Sequence, residues 1–542
     1  MPMPITRRSA ARIASLLLAT TAFAGIAPLG FTPLMAQTPK DTVVMAKQID
    51  DIISLDPAEV FEFSGGEVTG NVYDRLIAYD LKDVSKLYGV VAASWTISDD
   101  GKTYTFKLKP GIKFHSGNPL TAADVVYSLQ RAVSLNKSPA FIITQFGIKK
   151  ENVLDVVKAV DDTTVTITVD KPYAPSFFLN CLTADVASIV DSKLVKANEV
   201  NGDFGTEWLK KNSAGSGAYV LRSWRANEQY AVEANPNWVG GAPKMKRVIV
   251  RHVAEPASQR LLLEKGDVDF ARNLHKDALA AVKSNGDIQI QQGDKGYILY
   301  LGLNTKNAAF AKPEVREAMK WLVDYDAIER NIVSGTFQPH QSFLPKGFLG
   351  AISDKPYKYD LAKGKELLAK AGYPNGFTVT MDVRSVNPIS DIAQAIQAQW
   401  AAAGIKLEII PGDGKSTLTK YRARTHDIYI GQWGPDYQDP HTNAETFAIN
   451  ENNADDARSK TLAWRNSWDI PEMTKKTLAN VLERDTGKRK AIYEDLQREH
   501  QKTSPFVIMF QQVEVAAHRK SVSGFQIGPG SSTNLYHLLS KN

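Results

Sequence analysis

Residues Val91–Leu129 read VAASWTISDDGKTYTFKLKPGIKFHSGNPLTAADVVYSL, and three local signals succeed one another there without a gap. Trp95 and Ile97 lead into the turn Asp99-Asp100-Gly101-Lys102, after which Tyr104, Phe106 and Leu108 alternate with Thr and Lys. A period of two marks a half-buried strand, and Asp-Gly between two such runs predicts a β-hairpin. Pro110-Gly111 turns the chain again, Ile112 and Phe114 predict a short strand, and Gly117-Asn118-Pro119 closes it. Thr121 followed by Asp124 is a capping-box pattern, opening a helix that carries Val125, Val126 and Leu129 on one face. A hairpin feeding a helix belongs to a mixed α+β domain.

A chain of 542 residues is too long for one compact core, so two or three domains are expected. Hydrophobic content of 43% and charged content of 23% are those of an ordinary soluble protein. The amino terminus reads as an export signal: Arg7, Arg8 and Arg12 precede a mostly apolar run from Ile13 to Gly30, and Leu34-Met35-Ala36 is a cleavage site. Pro28, Pro33 and the Thr20-Thr21 pair weaken the competing reading as a membrane anchor. The arginine pair fits a twin-arginine route, although Ala10 and Ala11 stand where bulky apolar residues are usual, so the route stays open. Removing three arginines and no acid from a net charge of +6 leaves +3. With no dense Lys/Arg cluster interleaved with aromatics, nucleic acid is not an expected partner. Cys181 is the only cysteine, so no internal disulfide forms, and no lipid-modified cysteine begins the mature chain. A free periplasmic protein fits best.

Along the mature chain, Thr42–Met45 predicts a strand and Phe61–Gly66 a glycine-rich loop, with a helix beginning near Val68. Arg247–His252 predicts a strand, Ala257–Lys265 a helix ending at Gly266, and Tyr297–Leu303 an apolar strand. Tyr359–Pro374 predicts a helix stopped by Gly372 and Pro374, with Gly364 in its middle at a loss of roughly 1 kcal/mol relative to Ala.

The ordered string SW-x-x-SDDGKTYTF-x-L-x-x-GIKFHSG-x-P-x-TA-x-DVVYSL resembles the signature of the extracytoplasmic solute-binding proteins of peptide and nickel ABC importers, family 5. Asn71–Leu76, the glycine-rich Asn212–Tyr219, Leu303–Thr305 with Pro313–Ala318, and the Tyr359–Pro374 helix resemble further motifs of the same family. The resemblance runs from about Thr42 to the end. It implies an α/β, two-lobed periplasmic-binding-protein fold of the large cluster with an extra domain. Residues 37–72, 212–298 and 512–542 would form a discontinuous first domain, 73–211 the extra domain and 299–511 the second lobe.

The stretch Asp427–Pro440, DIYIGQWGPDYQDP, runs an apolar strand into a loop dense in Trp, Tyr, Asp and Pro, and loops fixed by a strand commonly supply binding groups. In peptide-binding members that this resembles, the Asp of W-x-x-D-Y pairs with the ligand α-amino group, which implies that role for Asp436. Trp433 and Tyr437 would stack on the solute or wall the pocket. The ligand carboxylate needs a cation. Arg384 lies just after a strand, where some dipeptide binders hold their carboxylate-binding arginine, and Arg422 and Arg424 precede the Asp427 strand. Ser64 and Gly65 resemble a serine–glycine step that binds the ligand main chain in the family. Asp439 reads equally as a turn cap beside proline.

No catalytic set is expected. Gly215-Ser216-Gly217 lacks the G-x-S-x-G spacing, and Gly412–Ser416 lacks the first glycine of a P-loop. The nine histidines show no metal spacing, though His426 and His441 flank the ligand stretch. No cofactor is therefore expected. The expected function is capture of a small solute, a di- or oligopeptide first, and delivery by a monomer to inner-membrane permease and ATPase subunits. The alternatives are a chelate of nickel or haem, a synthetic chelate, a bile-acid-like molecule, or an opine-like or sugar-phosphate conjugate. Rivals of another class are an exported hydrolase and a periplasmic chaperone.

Overall fold

The computed structural model describes residues 38–457 and 459–542, so the export signal expected at residues 1–36 lies outside it. Strand β1 (Thr42–Lys47, TVVMAK) is buried at every position, as expected of an apolar run with neighbours on both sides. Helix α1 (Phe63–Val72) comes next, and here the structure corrects the sequence reading. The glycines at 65 and 66 do not make a loop; they lie in the helix itself, which starts at Phe63 rather than near Val68. Their role is close approach. A Cβ on Gly65 would meet Val60 Cγ2 at 2.5 Å, and one on Gly66 would meet Ser531 Oγ at 2.7 Å.

The Asp-Gly hairpin forms as its residues dictate. Strands β2 (Ala92–Ile97) and β3 (Thr103–Leu108) pair antiparallel with Ile97 opposite Tyr104, and Gly101 takes the positive φ of +73° that the turn requires. Tyr104 and Phe106 are fully buried while Lys107 beside them is exposed. The strand expected at Ile112 and Phe114 is only a single bridge between Lys113 and Pro119, because the flanking turns leave no room for a ladder. Helix α2 (Ala122–Leu135) opens on the capping box: Thr121 N–H donates to the Asp124 carboxylate at 2.9 Å. Strands β4 (Val157–Asp161) and β5 (Thr164–Thr168) complete a sheet of order β2-β3-β5-β4, over a core that includes Phe106, Val125, Leu129, Phe146 and Phe178.

The remaining long strands build one large sheet. They are β6 (Tyr219–Arg225), β7 (Gln229–Ala234), β8 (Arg247–His252), β9 (Phe270–Ala271), β10 (Ile288–Leu303), β11 (Thr378–Arg384), β12 (Lys406–Gly412), β13 (Ile428–Trp433) and β14 (Phe506–Arg519). Their order is β12-β11-β13-β10-β14-β9-β1-β8-β7-β6, with the short strand Phe337–Pro339 added on β14. β1 runs parallel to β8 and β9, and β11 runs parallel to β12 and β13. The antiparallel pair β10 and β14 joins these two groups. Its register slips between Asp294 and Ile298. On one side of the slip Ile288 and Val515 pack with the β1 core; on the other, Leu299 and Leu301 pack with β11 and β13.

Gly364 sits in the helix Leu361–Lys370, where glycine is a poor helix former. A Cβ there would come within 2.3 Å of Leu322 Cδ2 and 2.6 Å of its Cγ, and Leu322 is fully buried. Close packing therefore outweighs propensity. Gly364→Ala should destabilise the protein by about 1–3 kcal/mol; the paired change with Leu322→Ala should be less costly than the sum, read from thermal unfolding of all three variants.

Candidate functional site

β13 carries buried Ile428 and Ile430 into the sheet and ends at Trp433, so the loop beyond it is held by a central strand. Gly434 and Pro435 then pack on β10. A Cβ on Gly434 would lie 1.9 Å from Tyr297 Cε1, and one on Gly296 would lie 2.6 Å from Pro435 Cγ. The Gly-Pro step thus fits a tyrosine ring into the loop and holds Asp436 and Tyr437 in place behind it. Asp436 N–H donates to Thr442 Oγ1 at 3.0 Å, which ties the loop to the start of helix α3 (His441–Ala448).

The loop opens on a cleft of about 450 Å³, within the ~300–1,000 Å³ of small-molecule sites. Phe61, Glu62, Phe63 and Asp185 line it from the first half of the chain. Tyr297, Tyr429, Trp433 and Asp436 line it from the second, and Gly530–Ser532 from the C-terminal segment. Phe61 and Phe63 remain 47% and 58% exposed, so the rim keeps apolar rings open to a solute.

The residues singled out in the sequence divide on this geometry. Asp436, Trp433, Tyr437 and Arg422 all line the cleft. Ser64 and Gly65 do not: they lie buried in the first turn of α1, where Ser64 N–H donates to the Asp51 carboxylate at 3.0 Å, and their neighbours Glu62 and Phe63 form the wall instead. Arg384 also lies outside the lining. It is exposed at the end of β11, its Nε 3.1 Å from where a Cβ on Gly414 would stand. Arg424 is buried and spoken for by Asp455 at 2.9 Å, the Asn453 amide oxygen at 2.7 Å and the Trp464 ring. Asp439 is clasped by both arms of Arg489 at 2.7 Å each. His426 is buried with Nε2 3.1 Å from Asn466 Oδ1, and His441 packs edge-on against Phe177. Among the described residues no group of three or more His, Cys, Asp or Glu side chains is arranged to hold a metal ion.

Sequence reasoning missed Arg465, Tyr421, Tyr429 and Tyr300, which line the same cleft. Arg465 comes directly after a tryptophan on the helical turn Leu462–Arg465 and carries no local signal; its guanidinium lies over the Tyr421 ring at 5.4 Å. Tyr421 and Tyr429 stack at 4.1 Å. Neither Arg422 nor Arg465 makes an ion pair among the described residues, and Trp433 Nε1 is a buried donor with no partner.

Charge is thus segregated within the cleft. Burial pushes the Asp436 carboxyl up to about 7, with Glu445 adding to the push, because no cation stands beside it. Burial raises the Tyr429 hydroxyl too, but Arg465, Arg384 and Arg422 oppose that rise. One end is short of a cation and the other is rich in guanidinium.

Three comparisons bear on this arrangement. The family model for bacterial extracellular solute-binding proteins, family 5, matches residues 86–455. The probable D,D-dipeptide-binding periplasmic protein DdpA of Escherichia coli K12 is 30% identical over 515 residues, covering 94% of this chain and 96% of its own. The glutathione-binding protein GsiB of Pectobacterium atrosepticum is 27% identical, covering 92% and 95%. The solved ABC transporter-associated periplasmic binding protein DppA of Helicobacter pylori, in complex with the peptide STSA, superposes with a TM-score of 0.76 at 26% identity, covering 92% of this chain and 98% of that one. The chain belongs to the family 5 extracellular solute-binding proteins, with their two-lobed fold, and is the solute-binding component of an ABC import system.

The arginines of the site should differ in what their loss costs. Arg489→Met strands buried Asp439 and should cost about 3–5 kcal/mol of stability. Arg422→Ala removes an exposed, unpaired charge and should leave the unfolding midpoint within about 0.5 kcal/mol of the parent in urea titration.

Proposed function

We propose that the cleft captures a small zwitterionic solute, a di- or oligopeptide in the first instance, with its amine at Asp436 and its carboxylate towards Arg422 and Arg465. The observation that carries this reading is the segregation of charge: an unpaired, enclosed carboxyl at one end and unpaired guanidinium groups at the other. A charge-assisted bond formed out of water is stronger than a neutral one, so each end gains most from a ligand of opposite sign. The aromatic walls between them favour a ligand with apolar side chains or planar amides. The relatives' stated ligands, a D,D-dipeptide, glutathione and the peptide STSA, share both charges and support the same reading.

The site acts by binding. A hydrolase would need a nucleophile with a base in reach, whereas the described lining of the cleft, which includes Ser531 and Ser532, holds no histidine. We place the mature chain in the periplasm, as a monomer that passes its solute to permease and ATPase subunits. The working division is a first domain of residues 37–72, 212–298 and 512–542, an extra domain of 73–211 and a second lobe of 299–511, the last of which holds a hydrophobic core drawn from its own residues.

The test is native mass spectrometry of the protein purified from periplasm, followed by titration with L-Ala-L-Ala, D-Ala-D-Ala and glutathione. A ladder of small peptide masses lost on denaturation is the expected result; a single adduct with a metal isotope pattern would overturn it in favour of a chelate. Asp436→Ala should weaken the binding of whichever probe is held by about 2–5 kcal/mol, roughly 30-fold or more. Arg422→Ala with Arg465→Ala should weaken free peptides and leave their C-terminal amides little changed, whereas Arg384→Ala should not distinguish the two.

A further inference from the structure

Behind the guanidinium end of the cleft runs a chain of hydrogen bonds whose direction is fixed by the atoms in it. Asn466 follows Arg465 directly and is fully buried. Its side chain lies against β10 where Gly302 leaves room, since a Cβ there would stand 2.7 Å from Asn466 Oδ1. The amide nitrogen Nδ2 is 2.9 Å from the Leu462 carbonyl oxygen and 2.9 Å from the Tyr421 hydroxyl. A carbonyl oxygen only accepts, so the group facing Leu462 is the NH₂, and the group facing His426 Nε2 at 3.1 Å is the amide oxygen. His426 therefore carries its proton on Nε2. Its bare nitrogen, Nδ1, is buried without a partner, and burial pushes the ring down to about 4, so near neutrality it holds one proton only.

His426 donates to Asn466, and Asn466 donates one proton to Leu462 and the other to Tyr421. Both amide protons are then used. Tyr421 accepts at this contact, so its own O–H points elsewhere. Its hydroxyl is also hydrogen-bonded to that of Tyr300. Whichever of the two donates to the other, one hydroxyl proton of the pair is left over, and no described residue accepts it. Both tyrosines line the cleft, Tyr300 only 1% exposed and Tyr421 not at all. A buried donor without an acceptor calls for one. This donor stands beside Arg422, which ends the helix Gly414–Arg422 that carries Tyr421, and beside Arg465, whose guanidinium lies over the Tyr421 ring at 5.4 Å.

We propose that the Tyr421–Tyr300 hydroxyl pair is a third donor to the solute's carboxylate, held in the donating sense by His426 through Asn466. This rests on the reading of that end as the carboxylate site. Asn466 and His426 act through the hydroxyls and are positioning residues. A carboxylate oxygen only accepts, and its bond to the offered proton is charge-assisted. A C-terminal amide has a neutral oxygen that makes a weaker bond, and an NH₂ that the donor repels. The end selects a free acid by hydrogen-bond polarity as well as by charge.

The direction of the chain is tested without any solute, by the ¹⁵N spectrum of histidine-labelled protein at about pH 7, with His426→Gln assigning the signal. His426 should show the Nε2–H form; the Nδ1–H form would overturn the proposal. Isothermal titration then compares L-Ala-L-Ala and D-Ala-D-Ala with their C-terminal amides. Tyr300→Phe and Tyr421→Phe keep the rings, and each should weaken the bound free dipeptide by about tenfold and its amide by about threefold or less. The exposed control Tyr359→Phe should leave both unchanged. Equal losses for acid and amide, as packing alone would give, or no loss in either variant, would overturn the hydroxyl assignment. If the parent binds neither dialanine, the peptide reading fails, and saturation-transfer NMR with acetate decides the hydroxyls by themselves. Contact with acetate that is lost in the double variant Tyr300→Phe with Tyr421→Phe supports the third donor; contact that persists there, or is missing from the parent, overturns it.

Discussion

A buried group of charges holds the two halves of the chain in register. Glu67 of α1, 1% exposed, accepts from Arg272 at 3.0 Å, Lys47 at 2.7 Å and the Tyr536 hydroxyl at 2.7 Å. Arg272 also pairs with Glu514 of β14, and Lys295 of β10 pairs with Glu514 at 2.9 Å while donating to the carbonyls of Gly528 and Gly530. Burial would raise the Glu67 carboxyl, but Arg272 and Lys47 beside it hold it far below its usual range. Burial likewise opposes ionisation of Glu514, yet Lys295 and Arg272 keep it at about 2. Ions enclosed this way return little net stability, and removing any one of them strands the rest. Their effect is to fix position. Lys295 sits inside the register slip of β10, Glu67 lies one turn from Phe63, and Gly530 is a wall of the cleft. Three segments far apart in sequence reach the cleft from one ionic node.

That node explains which features can be read in advance. The Asp-Gly turn, the Thr121–Asp124 capping box and the Gly266 helix stop are each decided by residues within a few positions, and each forms as expected. The glycines of α1 mislead because their reason lies elsewhere: Gly66 is small for the sake of Ser531. From sequence alone, glycine as a turn and glycine as a gap look the same. Ser64 and Gly65 inherit that ambiguity, since a loop would have offered them to a ligand and a helix turns them inward.

The charged candidates make the same point about partners. Asp436 and Asp439 lie three residues apart on one loop, yet Asp439 meets Arg489 and Asp436 meets no cation. Arg422 and Arg424 straddle a single alanine, but Arg424 turns in to Asp455 and Trp464 while Arg422 faces the cleft. Arg465 has no signal at all, because its place beside Tyr421 is made by the fold and not by its neighbours in sequence. The loop as a whole is legible; the allocation of its charges is not.

The same allocation supports the proposed reading of the cleft as a binding site. Elsewhere some enclosed charges are closely paired, with bidentate arginine clasps on Asp56 and Asp439. Among the residues that line the cleft, Trp433 Nε1, the Tyr437 hydroxyl and Gln438 Oε1 are buried without partners, and half-buried Asp436 has no cation beside it. Each unmet buried group costs about 1–3 kcal/mol, which a solute offering it a partner would recover. A solute that supplies the missing donors and acceptors recovers that cost only when walls from both halves of the chain reach it together. The gain is then differential, larger for the arrangement that encloses the solute than for any other, and a differential gain is the one thing by which a ligand shifts a conformational equilibrium. On the proposed reading, unmet polar groups on one wall, facing apolar rings and a glycine–serine loop on the other, would make solute capture and enclosure a single event.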